Sequence, residues 1–231
     1  MNVWLVKIGE PIPLNADYSD RLHRTGLLSQ ILARANHKVT WWTSTFDRVS
    51  RRNIFSSDTV INPFAGLQIK MIHSAGYKRS LSLDRLRDHK TVADKLRQYM
   101  RDEVAPDIIV CAYPTVELSA VCVKYGNERK IPVVLDLRDM WPDIIVDSLP
   151  KIIRPLSRIL LNRMFQDAHF ACSQATALTG ITEAFVEWGL EKGGRERSVL
   201  DRHFPLGYVS MPPTTERLYE AGRYWDNLGV K

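Results

Sequence analysis

The sequence predicts a doubly wound α/β domain, a mostly parallel sheet with helices on both faces, and three observations predict it. Short apolar runs alternate with amphipathic stretches along most of the 231 residues. Two of the runs, 107–112 and 132–135, are apolar nearly throughout, as strands covered on both sides require. The stretches between runs are long enough for crossover helices, which make neighbouring strands parallel.

The elements follow in order. Asn2 to Ile8 is an apolar run closed by Gly9 and Pro11, a first strand, and a polar loop continues to about Asp20. From Arg21 to Ala35, Leu22, Leu27, Leu28, Ile31, Leu32 and Ala35 recur at helical spacing, with Ser19 or Asp20 as N-cap. His37–Thr43 reads as a second strand, 44–66 as irregular, and Leu67–His73 as an alternating third strand. A long basic helix is expected over Asp84–Glu103, a buried strand over Asp107–Ala112, a helix over Thr115–Arg129 and a strand over Pro132–Asp136. A loop at 137–150, a helix at about 151–166, a strand at 168–172, a helix from Ser173 or Gln174 to about Gly189, and a short strand at Arg202–Leu206 follow. Residues 1–208 thus form one Rossmann-like domain, and 209–231 read as a linker with a polar helix from Thr215 to about Leu228.

Composition excludes several classes. With 45% hydrophobic and 25% charged residues the chain is globular rather than disordered. No apolar run approaches the roughly 18–20 residues of a membrane-spanning helix, and MNVWLVKIGEP lacks the parts of a signal peptide. Cys111, Cys122 and Cys172 are odd in number and far apart, which reads as small buried side chains in a reducing, cytoplasmic compartment. Residues 1–100 carry 16 Lys+Arg and 8 Asp+Glu, against 16 and 18 in 101–231. That front-loaded charge fits an anionic partner or a solvated basic surface.

In such a sheet the ligand crevice lies beyond the carboxyl ends of the strands, so the loops starting at Gly9, Thr43, His73, Ala112, Asp136 and Cys172 are the places to search. A GxGxxG turn is absent after the first strand, where Gly9-Glu-Pro-Ile-Pro makes a poor pyrophosphate cradle. GxxxxGK[ST], HExxH and GxSxG are also absent, and no nucleic-acid module is recognisable. The densest stretch is Asp136-Leu-Arg-Asp-Met-Trp-Pro-Asp143. Arg138 can bind phosphate, a carboxylate can orient that Arg or accept a sugar hydroxyl, and Trp141 can stack on a sugar ring. The alternative is a structural Arg–Asp pair under a Trp lid. No metal is expected, since the intervening Arg repels a cation. The histidines are scattered, and His23, near the first loop, is the one to mutate.

The Asp136–Asp143 stretch, preceded by Pro106–Thr115 and the Ile131-Pro-Val-Val strand, resembles GT4-type glycosyltransferases of the GT-B fold. The Gly-Glu-Pro loop, Arg24–Leu28, His37–Phe46, Ala171–Gln174 and Phe204–Tyr208 fit the same pattern, over nearly the whole chain. The resemblance implies transfer of a sugar from a nucleotide-sugar donor to a glycan or lipid-linked acceptor, in bacterial surface-polysaccharide synthesis such as capsule or O-antigen. It also implies that this chain is the acceptor-side half, with the donor-binding domain supplied in cis or in trans, and that no cofactor is used. Carried over residue by residue, Arg138 and Asp139 would lie against the reacting sugar or its diphosphate, so that Arg138→Ala should cut turnover far more than stability. Gly9, Glu10, His23, Arg24, Thr25, Tyr77, Tyr113, Pro114, Thr115 and Trp141 would bind substrate. Tyr77-Lys-Arg79 with Arg85, Arg87, Lys90, Lys95 and Arg97 would hold an anionic acceptor such as a polyprenyl diphosphate at a membrane surface. The basic segment Lys151–Phe165 is expected to pack on the sheet, with a membrane role as the alternative. The other reading of the whole chain is a non-catalytic membrane-docking or scaffold subunit of a split enzyme.

Overall fold

Strand β1 (Asn2–Val6) buries both its faces: Val3 and Leu5 join one apolar cluster, and Trp4 and Val6 the other. Only a central strand does this, and the computed structural model, which describes residues 1–14, 22–79, 82–207, 215–227 and 229, places β1 accordingly. Helix α1 (Arg24–Arg34) leads to β2 (Lys38–Ser44), a small antiparallel pair β3 (Phe46–Asp47) and β4 (Arg52–Asn53), then β5 (Thr59–Phe64) and β6 (Leu67–Ile72). Next come α2 (Leu83–Asp102), β7 (Ile108–Tyr113), α3 (Val116–Arg129), β8 (Val133–Leu137) and α4 (Asp143–Asp147). A 3-10 turn at Lys151–Ile153 precedes α5 (Arg154–Leu160) and α6 (Asn162–Gln174). The series ends with β9 (Ala177–Gly180), α7 (Glu183–Gly193), β10 (Arg202–His203) and α8 (Thr215–Asn227).

Among the described residues the main sheet has eight strands in the order β10-β9-β8-β7-β1-β2-β6-β5. All neighbours are parallel except β5 and β6. From β1 the chain steps outward through β2 and β6, then returns to the other side of β1 as β7 and continues to β10. The direction of winding therefore reverses between β1 and β7. Right-handed crossovers then put helices on opposite faces before and after the reversal. Leu28 and Leu32 of α1 pack on Val3, Leu5, Val39, Trp41 and Ile69, whereas α2, α3 and α6 cover Trp4, Val6, Ile109, Cys111 and Leu135. At the centre of that second face, Trp4 meets Trp42 edge-on and stacks on Tyr125, with ring centroids 5.6 Å apart in each case. All three cysteines are buried and unbridged.

Several expectations change. The segment 44–66 is not irregular throughout: it holds β3, β4 and β5. Within β5, Pro63 coincides with a register shift between Ile61 and Phe64, as a residue lacking an N–H requires. The strand expected at 168–172 is part of α6. Ala168, Ala171 and Cys172 are fully buried at i, i+3 and i+4 spacing, and so short an apolar run conceals its helical period. The true strand is β9, and the following helix starts at Glu183 rather than near 173. The helix expected at 151–166 divides at Leu161: no residue of the 3-10 turn or α5 is buried, so 151–160 do not pack on the sheet, whereas Met164 of α6 joins the core. The N-cap expected at Ser19 or Asp20 and the domain boundary expected at Tyr208 lie outside the described residues.

Helix α3 approaches β8 at Gly126, where an added Cβ would run into the Val133 side chain and come within 2.8 Å of the Ile131 carbonyl oxygen. Gly126→Ala should therefore lower the unfolding free energy by about 1–3 kcal/mol in urea titrations. Gly222→Ala, in exposed α8 with nothing within 4 Å, should not lower it. Equal stability of the Gly126 variant would contradict this packing.

Candidate functional site

The loops that follow β1, β2, β7 and β8 converge beyond the strand ends at the reversal point. After β1, Gly9 turns the chain with φ +71°, a left-handed conformation that favours glycine. The turn carries Glu10 back beneath the start of α1. That helix has His23 as N-cap with no side-chain cap bond and no acidic residue in its first turn. Glu10 fills the role from outside: its carboxylate accepts from the Thr25 backbone N–H and from Thr25 Oγ1, both at 3.1 Å. A carboxylate there satisfies open N–H groups and complements the helix dipole.

Arg138, after β8, completes a buried network. Its Nε donates to Asp136 Oδ2 at 2.7 Å, one terminal nitrogen to Glu10 Oε1, and the other to Thr25 Oγ1 at 3.0 Å. Arg24 pairs with the same Asp136 oxygen at 3.0 Å and donates to the Phe204 carbonyl at 2.6 Å. Thr179 Oγ1, on β9, donates to Asp136 Oδ1 at 3.0 Å. Two guanidinium groups and two carboxylates thus neutralise one another while joining the β1 loop, α1, β8, β9 and the segment after β10. The sequence reading gave Arg138, Glu10, Arg24 and Thr25 to substrate. The structure gives every guanidinium nitrogen of Arg138 a protein partner, so its removal strikes stability.

Beside this network lies a cavity of about 250 Å³. Lys7, Ile8 and Gly9 line it from β1, Ser44, Phe46 and Arg48 from the β2 side, Pro114 and Thr115 from β7, and Arg138, Asp139 and Trp141 from β8. Tyr77, Arg85, Asp88 and His89 close it from the α2 side. Of the expected substrate residues, Gly9, Tyr77, Pro114, Thr115, Arg138, Asp139 and Trp141 therefore meet at one cavity. Glu10, Arg24 and Thr25 lie in the network behind it. Tyr113 is fully buried, its hydroxyl donating to the Trp141 carbonyl, so it supports the loop rather than facing the cavity. His23 is exposed at the helix start. The basic residues expected to act together on α2 are largely paired: Arg87 with Asp84 and Lys90 and Arg97 with Asp94 on the helix itself, and Lys95 with Asp58, just before β5. Arg85 alone of that helix's cations lines the cavity, its guanidinium 4.4 Å from the Trp141 ring centre.

Three titratable groups here carry no signal in the sequence, because burial rather than spacing sets them apart. Lys7, at the cavity floor, has its pKa lowered to about 8, chiefly by burial, against the opposing pull of Glu10. Burial, then the charges of Arg85 and Lys7, push His89 down to about 3, so its ring is neutral at pH 7. Arg85 Nε lies 3.4 Å from His89 Nε2, which as acceptor leaves the proton on Nδ1. That Nδ1 faces Glu117 Oε2 at 4.0 Å, and neither atom has a hydrogen-bond partner among the described residues. Burial raises Glu117, in the first turn of α3, to about 7. No cluster of three or more His, Cys, Asp or Glu side chains suited to a metal occurs among the described residues.

No protein-family model and no curated protein matches this chain. Among solved structures it is similar to HepE (Alr3699) of Anabaena in complex with UDP, at 12% identity and TM-score 0.46, over 99% of this chain and 50% of that one. It is likewise similar to UGT89C1 of Arabidopsis thaliana complexed with quercetin, at 13% identity and TM-score 0.49, over 98% and 55%. A third is a UGT transferase of Siraitia grosvenorii in complex with UDP, at 10% identity and TM-score 0.43, over 97% and 55%. The chain spans about half the length of these solved structures.

Two outcomes follow from the site. Arg138→Ala leaves Glu10 and Asp136 short of a buried partner and should cost roughly 3–5 kcal/mol in chemical denaturation; a loss below about 1 kcal/mol would show the network to be dispensable. Glu117 binds a proton more tightly folded, at about 7, than in its ordinary state at 4.5, so its contribution to stability is full below 4.5 and lost as pH rises to 7. The stability difference between Glu117→Gln and the parent chain should accordingly shift in the variant's favour across that window and level off above it. Denaturation at a series of pH values measures it, and a pH-independent difference would contradict the assignment.

Proposed function

We propose that this chain is the acceptor-side, Rossmann-like half of a GT-B glycosyltransferase of the GT4 type. It would transfer a sugar from a nucleotide-sugar donor to a glycan or polyprenyl-diphosphate-linked acceptor in surface-polysaccharide synthesis, on the cytoplasmic side of the membrane. The observation that carries the reading is the cavity at the reversal between β1 and β7, lined in part by the Arg138–Trp141 segment on which the family resemblance rests. Its polar lining suits a hydroxylated, anionic ligand: Lys7, Arg48 and Arg85 line it together with Asp88 and Asp139. Asp88 Oδ1 accepts from the Gly76 N–H at 2.7 Å and Asp139 Oδ1 from the Met140 N–H at 2.8 Å, which fixes each carboxylate while leaving its second oxygen for a sugar hydroxyl.

Glycosyl transfer needs donor and acceptor held in line, with charges aimed at the departing diphosphate. In this proposal a facing donor-binding domain, in cis or in trans, supplies the nucleotide contacts, and no metal or other cofactor takes part. Asp139 then stands against the reacting sugar, Arg138 keeps the loop bearing it in place, and Trp141, 7% exposed beneath Arg85, forms the apolar backing.

Isothermal titration of residues 1–231 with UDP- or GDP-sugars should give little or no heat, and strong specific binding would overturn the acceptor-side assignment. With the donor-binding domain supplied, Asp139→Ala should lower kcat by about 10²–10³-fold while shifting the midpoint of thermal unfolding little. Unchanged turnover would remove Asp139 from the site.

A further inference from the structure

The segment from Lys151 to Leu161 leaves its apolar side chains in solvent. Ile152 is 89% exposed, Ile159 72% and Leu160 76%, with Ile153 and Leu156 also exposed. Residues 152, 156, 159 and 160 recur at i, i+4, i+7 and i+8, so these side chains form one stripe along the 3-10 turn and α5 rather than a scatter. Contiguous exposed apolar surface of this kind marks an interaction site. Cations flank it. Lys151 and Arg158 are exposed and have no carboxylate partner among the described residues, whereas the nearby Asp147 and Asp167 are engaged by Arg154 and Arg163. The stripe is wholly aliphatic, without the Trp and Tyr anchors that concentrate in protein interfaces. Helix α8 does not cover it, since the described side chains of α8 are themselves exposed.

We propose that this stripe docks the protein on an anionic lipid bilayer, with Ile152, Ile153, Leu156, Ile159 and Leu160 entering the headgroup–acyl boundary and Lys151 and Arg158 facing the lipid phosphates. Topology gives the docking an orientation. Strand β8 ends at the cavity, and α6 runs back to the opposite edge, where β9 begins, so α5 lies at the cavity end of the sheet. Docking by α5 therefore brings that end of the domain to the membrane. No helix of the described residues is long and apolar enough to cross a membrane, and this attachment is peripheral.

Flotation of the full chain with phosphatidylcholine vesicles, alone or with phosphatidylglycerol, tests the proposal. Binding is expected to the mixed vesicles, at least tenfold weaker to the neutral ones, and weakened by added salt. Ile152→Ser/Leu156→Ser/Ile159→Ser and, separately, Lys151→Glu/Arg158→Glu should each reduce it at least tenfold, with unfolding midpoints showing that both variants are folded. The salt series on the parent chain keeps the test decisive if a variant does not fold. Absence of binding to the mixed vesicles, binding indifferent to salt and to the variants, or a dimer in light scattering that the serine variant dissociates would each overturn it.

Discussion

The carboxylate of Asp136 holds this end of the molecule together. Placed near the end of β8, a strand buried at every position but Val134, it receives Arg138, Arg24 and Thr179, which come from three different parts of the chain. Arg138 passes the connection on to Glu10, and Glu10 starts helix α1. Buried ion pairs of this kind add little net stability compared with an apolar core, yet removing one member leaves an uncompensated charge. Their contribution is positional: the loops after β1 and β8 are fixed relative to one another. A cavity bounded by loops so fixed can present its polar groups in a constant arrangement, which a binding site for a hydroxylated ligand requires.

The charge pattern around the cavity follows from the same compactness. Lys7 extends from β1 into a space already holding Arg138 and Arg48, and burial in that company weakens its hold on a proton. His89 responds in the same direction and stays neutral, while Glu117 behind it retains a proton to higher pH than an exposed carboxylate. Under the proposed function, an anionic ligand would offset the burial of the Lys7 charge.

Much of this organisation is readable from residues alone. Continuous apolar runs such as Ile108–Ala112 and Val133–Leu135 announce strands buried on both faces, and the helices between them fix the parallel sheet. The rule that ligands sit beyond the strand ends points to the loops starting at Gly9, Ala112 and Asp136, which bring Gly9, Pro114, Thr115, Arg138, Asp139 and Trp141 to the cavity, whereas the loop expected at Cys172 lies within α6. Other features depend on distance in space and leave no local trace. Nothing near Glu10 in the sequence indicates that it caps a helix beginning at residue 24, or that His89 and Glu117, 28 positions apart, face each other. Helix α6 departs from expectation for a different reason: Ala168-His-Phe-Ala-Cys172 is apolar enough to pass for a strand, and only its packing on α3 shows the helical stripe. Segment 151–160 shows the converse, an amphipathic pattern whose apolar side the fold does not bury.

The two rims of the sheet carry a consequence for assembly. At one, β5 runs against its neighbour with Pro63 and a shifted register; at the other, β10 is only two residues long, Arg202 and His203. Neither offers the long, regular row of free backbone donors and acceptors that another polypeptide needs to add itself as a further strand. The donor-binding domain of the proposed function would therefore meet this one through side chains and loops rather than by adding a strand. In that proposal the two bodies could rotate apart and together, admitting and releasing ligands without breaking a backbone hydrogen-bond ladder.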